Sequence, residues 1–291
     1  MPAALTTPQD WTGDPALIWV LCAAFLFWLG GRHPRGLRRP ADRWRTASFI
    51  AGLVAILAAL DSPIDRLADE LFWVHMVQHV LLIAVAPPLL ALARPWNRMW
   101  RGFPIAFRRA VAREVTAAPR WAPLRRAAAL AGGATASWLI FNVSFCAWHL
   151  PVLYNAALRY QPVHAFEHLT FFATALLFWT RVVYSPPWRS PLGELGKLIY
   201  LGSTMVVGWV LAIVLALAGS PLYAAYAEEA SRPGHISAFT DQQLAAGVMW
   251  VPGSISYTIA IVVIAYRWLE PRDARRRRAG PQPKTVPRGV G

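Results

Sequence analysis

LFWVHMVQHVLLIAVAPPLLALA, residues 71–93, contains no Asp, Glu, Lys or Arg. A helix crosses a bilayer core with roughly 17–25 predominantly apolar residues, so this stretch reads as a membrane span. Its polar groups, His75, Gln78 and His79, are confined to the first nine residues. Positions i, i+3 and i+4 share one helical face, so the two imidazoles and the carboxamide form one stripe. Working outward, six more runs have comparable character: Pro15 to about Gly31, about Trp44 to Leu60, Ala127 to about Trp148, Val163 to about Val183, about Leu195 to Ala218, and Gln242 to about Trp268. Backbone groups cannot stay unpaired in lipid, and these runs are continuous rather than alternating, so each is expected to be helical. The fold class predicted is all-α, an integral membrane bundle of about seven transmembrane helices.

Composition agrees with that class. Of the 291 residues 56% are hydrophobic and 15% charged, and the mean hydropathy is +0.36. The net charge of +14 could suit nucleic acid. Its distribution points to membrane lipid instead, because every basic cluster flanks a span. Cys22 and Cys146 lie inside apolar runs, which leaves no disulfide framework. Met1 to Asp14 holds no Lys or Arg, so the first run is expected to be a retained helix rather than a signal peptide.

Lys and Arg set the orientation. Six lie between the first two spans, nine in residues 94–126, three in residues 181–197 and eight from Arg267 onward, whereas Arg66, Arg159 and Arg232 alone fall on the other side. This asymmetry predicts an outside N-terminus and a cytoplasmic C-terminus. Three regions follow: an extracytoplasmic segment 1–14, a membrane domain 15–270, and a basic cytoplasmic tail 271–291 expected to be disordered. Residues 94–126 mix Trp96, Trp100, Phe103, Phe107 and Trp121 with arginines, as an amphipathic segment lying on anionic lipid does. Pro87-Pro88 and Pro252-Gly253 should kink or end their helices.

The topology gives the histidines their meaning. His164-Ala165-Phe166-Glu167-His168 repeats the pattern of His75-Met76-Val77-Gln78-His79. Both stretches begin spans that run inward, so both stripes lie near the outer surface, joined there by His149 and His235; only His33 falls on the cytoplasmic side. Ionisable groups in spans are costly and tend to be functional. Two imidazoles at i and i+4 can reach one ion at about 2.0–2.1 Å. The candidate ligands are therefore His75, His79, His149, His164 and His168. Gln78 and Glu167 are candidate orienting groups, with Glu167 also a direct donor. Asp241, Met76, Met249 and Cys146 are auxiliary candidates, although Met and Cys at such positions ordinarily serve packing. Asp61, Asp65, Asp69 and Glu70 read as a solvated acidic loop ahead of His75. The donor types suit copper, zinc or iron without choosing among them.

Three other readings compete. Residues 164–168 match the H-x-x-E-H string of a zinc peptidase, but the sister stretch has Gln78 where a general base is needed, so an enzyme is not expected. Histidines of two helices can hold a haem b for electron transfer, which would leave the second histidine of each helix unexplained. A metal transporter needs polar groups near the midplane. These spans offer chiefly Asn142, Ser144, Ser203, Thr204 and Ser254 there.

HMVQHVLLIAVAPPLLAL (75–92), WHLPVLYNAAL (148–158), HAFEHLTFF (164–172) and DQQLAAGVMWVPGS (241–254) resemble, in order, the bacterial cytochrome c oxidase assembly factor CtaG family of multi-pass membrane proteins. The matching positions are His75, His79, Trp148, His149, Pro151, Tyr154, His164, Glu167, His168, Asp241 and Gln242. The basic loop at 94–126 and the Arg-rich tail are less typical. The resemblance implies an inner-membrane chaperone in the maturation of a haem–copper oxidase. It also implies copper handling at the outer face and an oxidase subunit as partner. Trp148, Pro151 and Tyr154 are read here as shaping an interfacial helix end.

Overall fold

The computed structural model describes residues 16–32, 40–185, 190–228 and 232–270. The N-terminal segment 1–14, His33 with Arg35, Arg38 and Arg39, Arg189 and the tail 271–291 lie outside the described residues, as do the expectations attached to them. Among the described residues the secondary structure is helical, with no strand. α1 (Ala16–Gly31) and α2 (Pro40–Leu60) are followed by the short α3 (Pro63–Glu70). α4 (Phe72–Val80), a π-helical turn (Leu81–Val85) and α5 (Ala86–Ala93) form one run. The basic connection holds α6 (Trp96–Arg101), α7 (Ile105–Ala117) and α8 (Ala122–Ala131). Then come α9 (Ala134–Trp148), α10 (Pro151–Arg159), α11 (Gln161–Val182), α12 (Glu194–Leu217), α13 (Ala224–Ala227) and α14 (Ala238–Leu269).

Among the described residues four stretches are long and apolar enough to cross a membrane: Arg43–Leu60, Phe72–Ala93, Glu194–Leu217 and Ala238–Leu269. Pro119–Ala131 and Ala134–Trp148 add a fifth if counted as one span, but they meet at 86°. The helix expected from Ala127 is thus broken. Gly132-Gly133 interrupts it, and Arg181 Nη1 donates to the freed Gly132 carbonyl at 2.7 Å. The other two expected spans are helices that fall short by composition or length. Leu17–Gly31 is brief, and α11, though 22 residues long, carries His164, Glu167, His168 and Arg181. By length and composition alone the described residues give four such spans, or five with the bent pair.

The bundle has an apolar core around Phe141, Phe171, Phe178 and Leu201, an apolar exterior, and an enclosed polar set. Val206, Val210, Val214, Ile255, Ile259 and Val262 are exposed on α12 and α14, while His75, Gln78, Glu167, Asp241 and Gln242 are almost wholly enclosed. Exposed apolar stripes on helices of span length suit a lipid surface, and only protein can pair the enclosed polar set. α14 packs against both α12 and α4, and α11 packs against α9, α5 and the π turn. α4 and α11, the two histidine-bearing helices, thereby face one interior.

Local chemistry explains how α4 is held. Its N-cap residue, Leu71, has no side-chain oxygen to offer. Asp241 of α14 supplies both carboxylate oxygens instead, accepting the backbone N–H of Phe72 and Trp73 at 2.9 Å each. Free N–H groups at a helix start favour such an anion. Pro87 has no N–H for the Ile83 carbonyl. The backbone widens to a π turn just before it, and the Ile83 carbonyl accepts the Trp179 indole N–H at 3.2 Å. The expected kink at Pro87-Pro88 is therefore a π turn within an unbroken run, and Pro252 sits inside the continuous α14.

Two loops differ from expectation. The acidic stretch before His75 is the helix α3, with Ser62 as its N-cap and Asp61 buried. The basic segment does not lie wholly on lipid. Arg98 Nε donates to the Phe27 carbonyl at 2.8 Å, and its guanidinium covers the Phe27 ring, so α6 is docked on α1. Gly30 permits that approach, because a Cβ there would collide with the Arg98 carbonyl.

Candidate metal centre

α4 and α11 each present the first residue of their pattern one turn before the last, and the two stripes meet. The His75 ring lies 4.3 Å from His79, 5.1 Å from His164 and 6.1 Å from His168, centroid to centroid. His79 lies 5.6 Å from His168 and 6.2 Å from His149. All five rings are buried. Two groups of donor atoms lie within 4.8 Å of one another: His75, His79 and His168, and His75, His164 and Glu167. Some point then lies within ~2.8 Å of all three atoms, so side-chain shifts of about 0.6–0.8 Å reach ligand distances of about 2.0–2.2 Å.

Hydrogen bonds fix the state of two rings. His75 Nδ1 lies 2.8 Å from the Tyr226 hydroxyl. That hydroxyl donates its one hydrogen to the Ala68 carbonyl at 2.5 Å. Burial pushes the Tyr226 phenol well above its usual range, so the hydrogen stays in place. Nδ1 of His75 must then carry the N–H, which leaves the lone pair on Nε2. His149 is set the same way, with Nδ1 donating to the Phe145 carbonyl at 2.7 Å. Imidazoles that ligate metals are typically held by their far nitrogen in this manner. His75 Nε2 and His79 Nε2 lie 2.8 Å apart and share a hydrogen. Two nitrogens on one tetrahedral ion would stand ~3.3 Å apart, so loading requires only a slight spreading of the pair.

Glu167 is the most telling member. It is fully buried, and among the described residues neither carboxylate oxygen has a hydrogen-bond partner. Its nearest basic group is His79 Nε2, 3.8 Å from Oε1. A buried carboxylate so placed costs several kcal/mol unless a proton or a cation meets it. His149 Nε2 and His168 Nε2 are likewise buried without a partner among the described residues. Bare imidazole nitrogens around an unpaired carboxylate form a donor set that fits a transition-metal ion.

The auxiliary candidates divide. Gln78 turns away from the histidines, its amide donating to the Ala59 carbonyl and to Asp65 Oδ1 at 2.7 Å each. It ties α4 to α2 and α3. Asp241 caps α4 and does not join the rings. Met76 and Met249 line an apolar cavity together with Met205, His79 and His149. Cys146 is exposed and stands apart from the cluster. His235 lies at the η turn before α14 with φ 54°, also apart. Sequence reasoning missed the roles of three residues. Tyr226 orients His75, Asp65 holds Gln78, and Tyr154 is fully buried, with its ring 5.3 Å from His75 and 4.1 Å from Tyr223. Tyr154 lies in the WHLPVLYNAAL stretch, whose sequence predicts an interfacial helix end rather than a pocket residue. Tyr226 is about 150 residues from His75 along the chain and carries no local signal.

Comparison with known proteins adds a family. The model for the cytochrome c oxidase caa3 assembly factor matches residues 23–271. An uncharacterised protein of Mycobacterium bovis, Mb0105, is 24% identical over 237 residues, and MT0111 of Mycobacterium tuberculosis matches equally. ML1998 of Mycobacterium leprae is 22% identical over 239 residues. Each alignment covers 80% of this chain, and the chain spans only about 35% of the length of these relatives, 36% for the third. No solved structure matches the chain.

Proposed function

The chain belongs to the cytochrome c oxidase caa3 assembly factor family, and from that premise we propose that it serves oxidase assembly by holding copper in the histidine pocket between α4 and α11. The observation that carries this reading is the buried Glu167 carboxylate, without a hydrogen-bond partner among the described residues, with ligating atoms of His75 and His164 within 4.8 Å of an oxygen and His79 Nε2 3.8 Å away. His75, His79, His164, His168 and Glu167 would hold the ion, with His149 at the edge. Bound there, copper is cargo: the pocket supplies neutral nitrogen donors and one negative charge, enough to bind an ion and still release it. Close ring-to-ring packing favours an ion over a haem macrocycle, which would need a slot between the helices. The recipient is an oxidase subunit whose copper centre lies toward the same side of the membrane.

The chain sits in a bacterial inner membrane as seven spans, N-terminus outside and C-terminus in the cytoplasm, with α1 and α11 and the bent α8–α9 pair completing the count. Support comes from the charge asymmetry of the connections and from the enclosed polar faces of α4 and α11. The test is metal analysis of the purified full chain. The wild type is expected to carry copper without a Soret band, and His79→Ala/His164→Ala to lose it. Equal copper in the variant, or haem in the wild type, would overturn the reading.

A further inference from the structure

His75 has a single nitrogen open to an ion. Its Nδ1 is committed to Tyr226, whose own hydrogen goes to the Ala68 carbonyl. Both donor groups nevertheless require His75: one adds His79 and His168, the other His164 and Glu167. They share no other member. One lone pair on Nε2 serves one ion, so the two groups cannot be filled at once. They also differ in depth. His164 precedes His168 by four residues on α11, and His75 precedes His79 by four on α4, about 6 Å of rise in each case.

We propose that the pocket is a two-seat site for a single copper ion, hinged on His75. The outer seat is His75, His164 and Glu167; the inner seat is His75, His79 and His168. This rests on the reading that the pocket holds metal. Transfer inward breaks the bonds to His164 and Glu167 and forms bonds to His79 and His168, while the His75 bond persists. His79 joins as a neutral imidazole, its one ring hydrogen passing from Nε2 to Nδ1, so no net proton is released, and the vacated Glu167 carboxylate stays beside the ion, 3.8 Å from His79 Nε2. The ion's oxidation state is unchanged. Because one ligand is kept throughout, the ion is never stripped, which is what a carrier needs if it must release as readily as it binds. The seats differ in hardness as well: one oxygen and two nitrogens outside, three nitrogens inside.

The experiment titrates the purified full chain in detergent with cupric ion. Bound copper is counted, and frozen samples are read by electron paramagnetic resonance. Saturation is expected at one ion per chain, with two overlapping signals, one coupled to two nitrogens and the other to three. Glu167→Gln should keep only the three-nitrogen signal, and His168→Ala only the two-nitrogen signal. Two ions bound together in the wild type, or one signal alone, overturns the two-seat arrangement while leaving metal binding intact. No bound copper overturns the metal reading itself. Circular dichroism and size exclusion monitor the folding of each variant; the wild-type ion count and signal number decide the matter without them.

Discussion

At the scale of single residues, the pocket is controlled by groups that set protons. Tyr226 is a positioning residue: it holds His75 by Nδ1 and so directs Nε2 inward. Tyr226→Phe keeps the ring stacked near Phe72, at 5.3 Å in the wild type, but releases His75. Loss of such an orienting partner costs about 10–100-fold in metal affinity. Chelator competition on the purified variant is expected to show that drop with unchanged stoichiometry. Gln78 and Glu167 occupy equivalent places in the two sequence patterns yet have separate tasks. Gln78 faces Asp65 and the Ala59 carbonyl, where a neutral donor is wanted; Glu167 faces the rings, where a charge is useful.

At the scale of elements, α4 depends on partners from far along the chain. Asp241→Ala removes both acceptors from its first N–H groups. Loss of a cap costs about 0.5–2 kcal/mol, and a charged acceptor lies at the upper end. A lower melting temperature for this variant, measured in detergent, is the expected result. The π turn makes a sharper prediction. Trp179→Phe strands the Ile83 carbonyl, a buried acceptor whose loss of pairing costs about 1–3 kcal/mol. Pro87→Ala restores a backbone N–H that can reach Ile83, so the double variant should melt above Trp179→Phe alone. If the two changes simply add, the carbonyl is not what links them.

At the scale of the whole molecule, the proposed orientation rests on charge. With the native cysteines replaced, Arg159→Cys in α10 is expected to react with an impermeant thiol reagent in intact spheroplasts. Arg120→Cys, in the connection between α7 and α8, is expected to react only after permeabilisation. The reverse pattern would invert the bundle and place the histidine pocket on the cytoplasmic side. Much of this was legible from the chain. The apolar runs gave the helical membrane class, and the 3.6-residue repeat put His75 with His79 and His164 with His168 on common faces. The span count was less so, because hydropathy does not show that Gly132-Gly133 turns a helix through 86°.

The sequence by itself determined which side chains share a stripe, since spacing along a helix is a property of the backbone alone. It also determined the medium, since long apolar runs have no other solvent. Only the tertiary structure decided that the two stripes face each other rather than lipid. Only the tertiary structure recruited Tyr226 to His75 and Asp241 to the start of α4, and spent Gln78 on α2 and α3 rather than on the rings. Those pairings join residues up to 169 positions apart. They arise because buried polar groups must find partners wherever packing brings them, and no local pattern encodes a partner that distant.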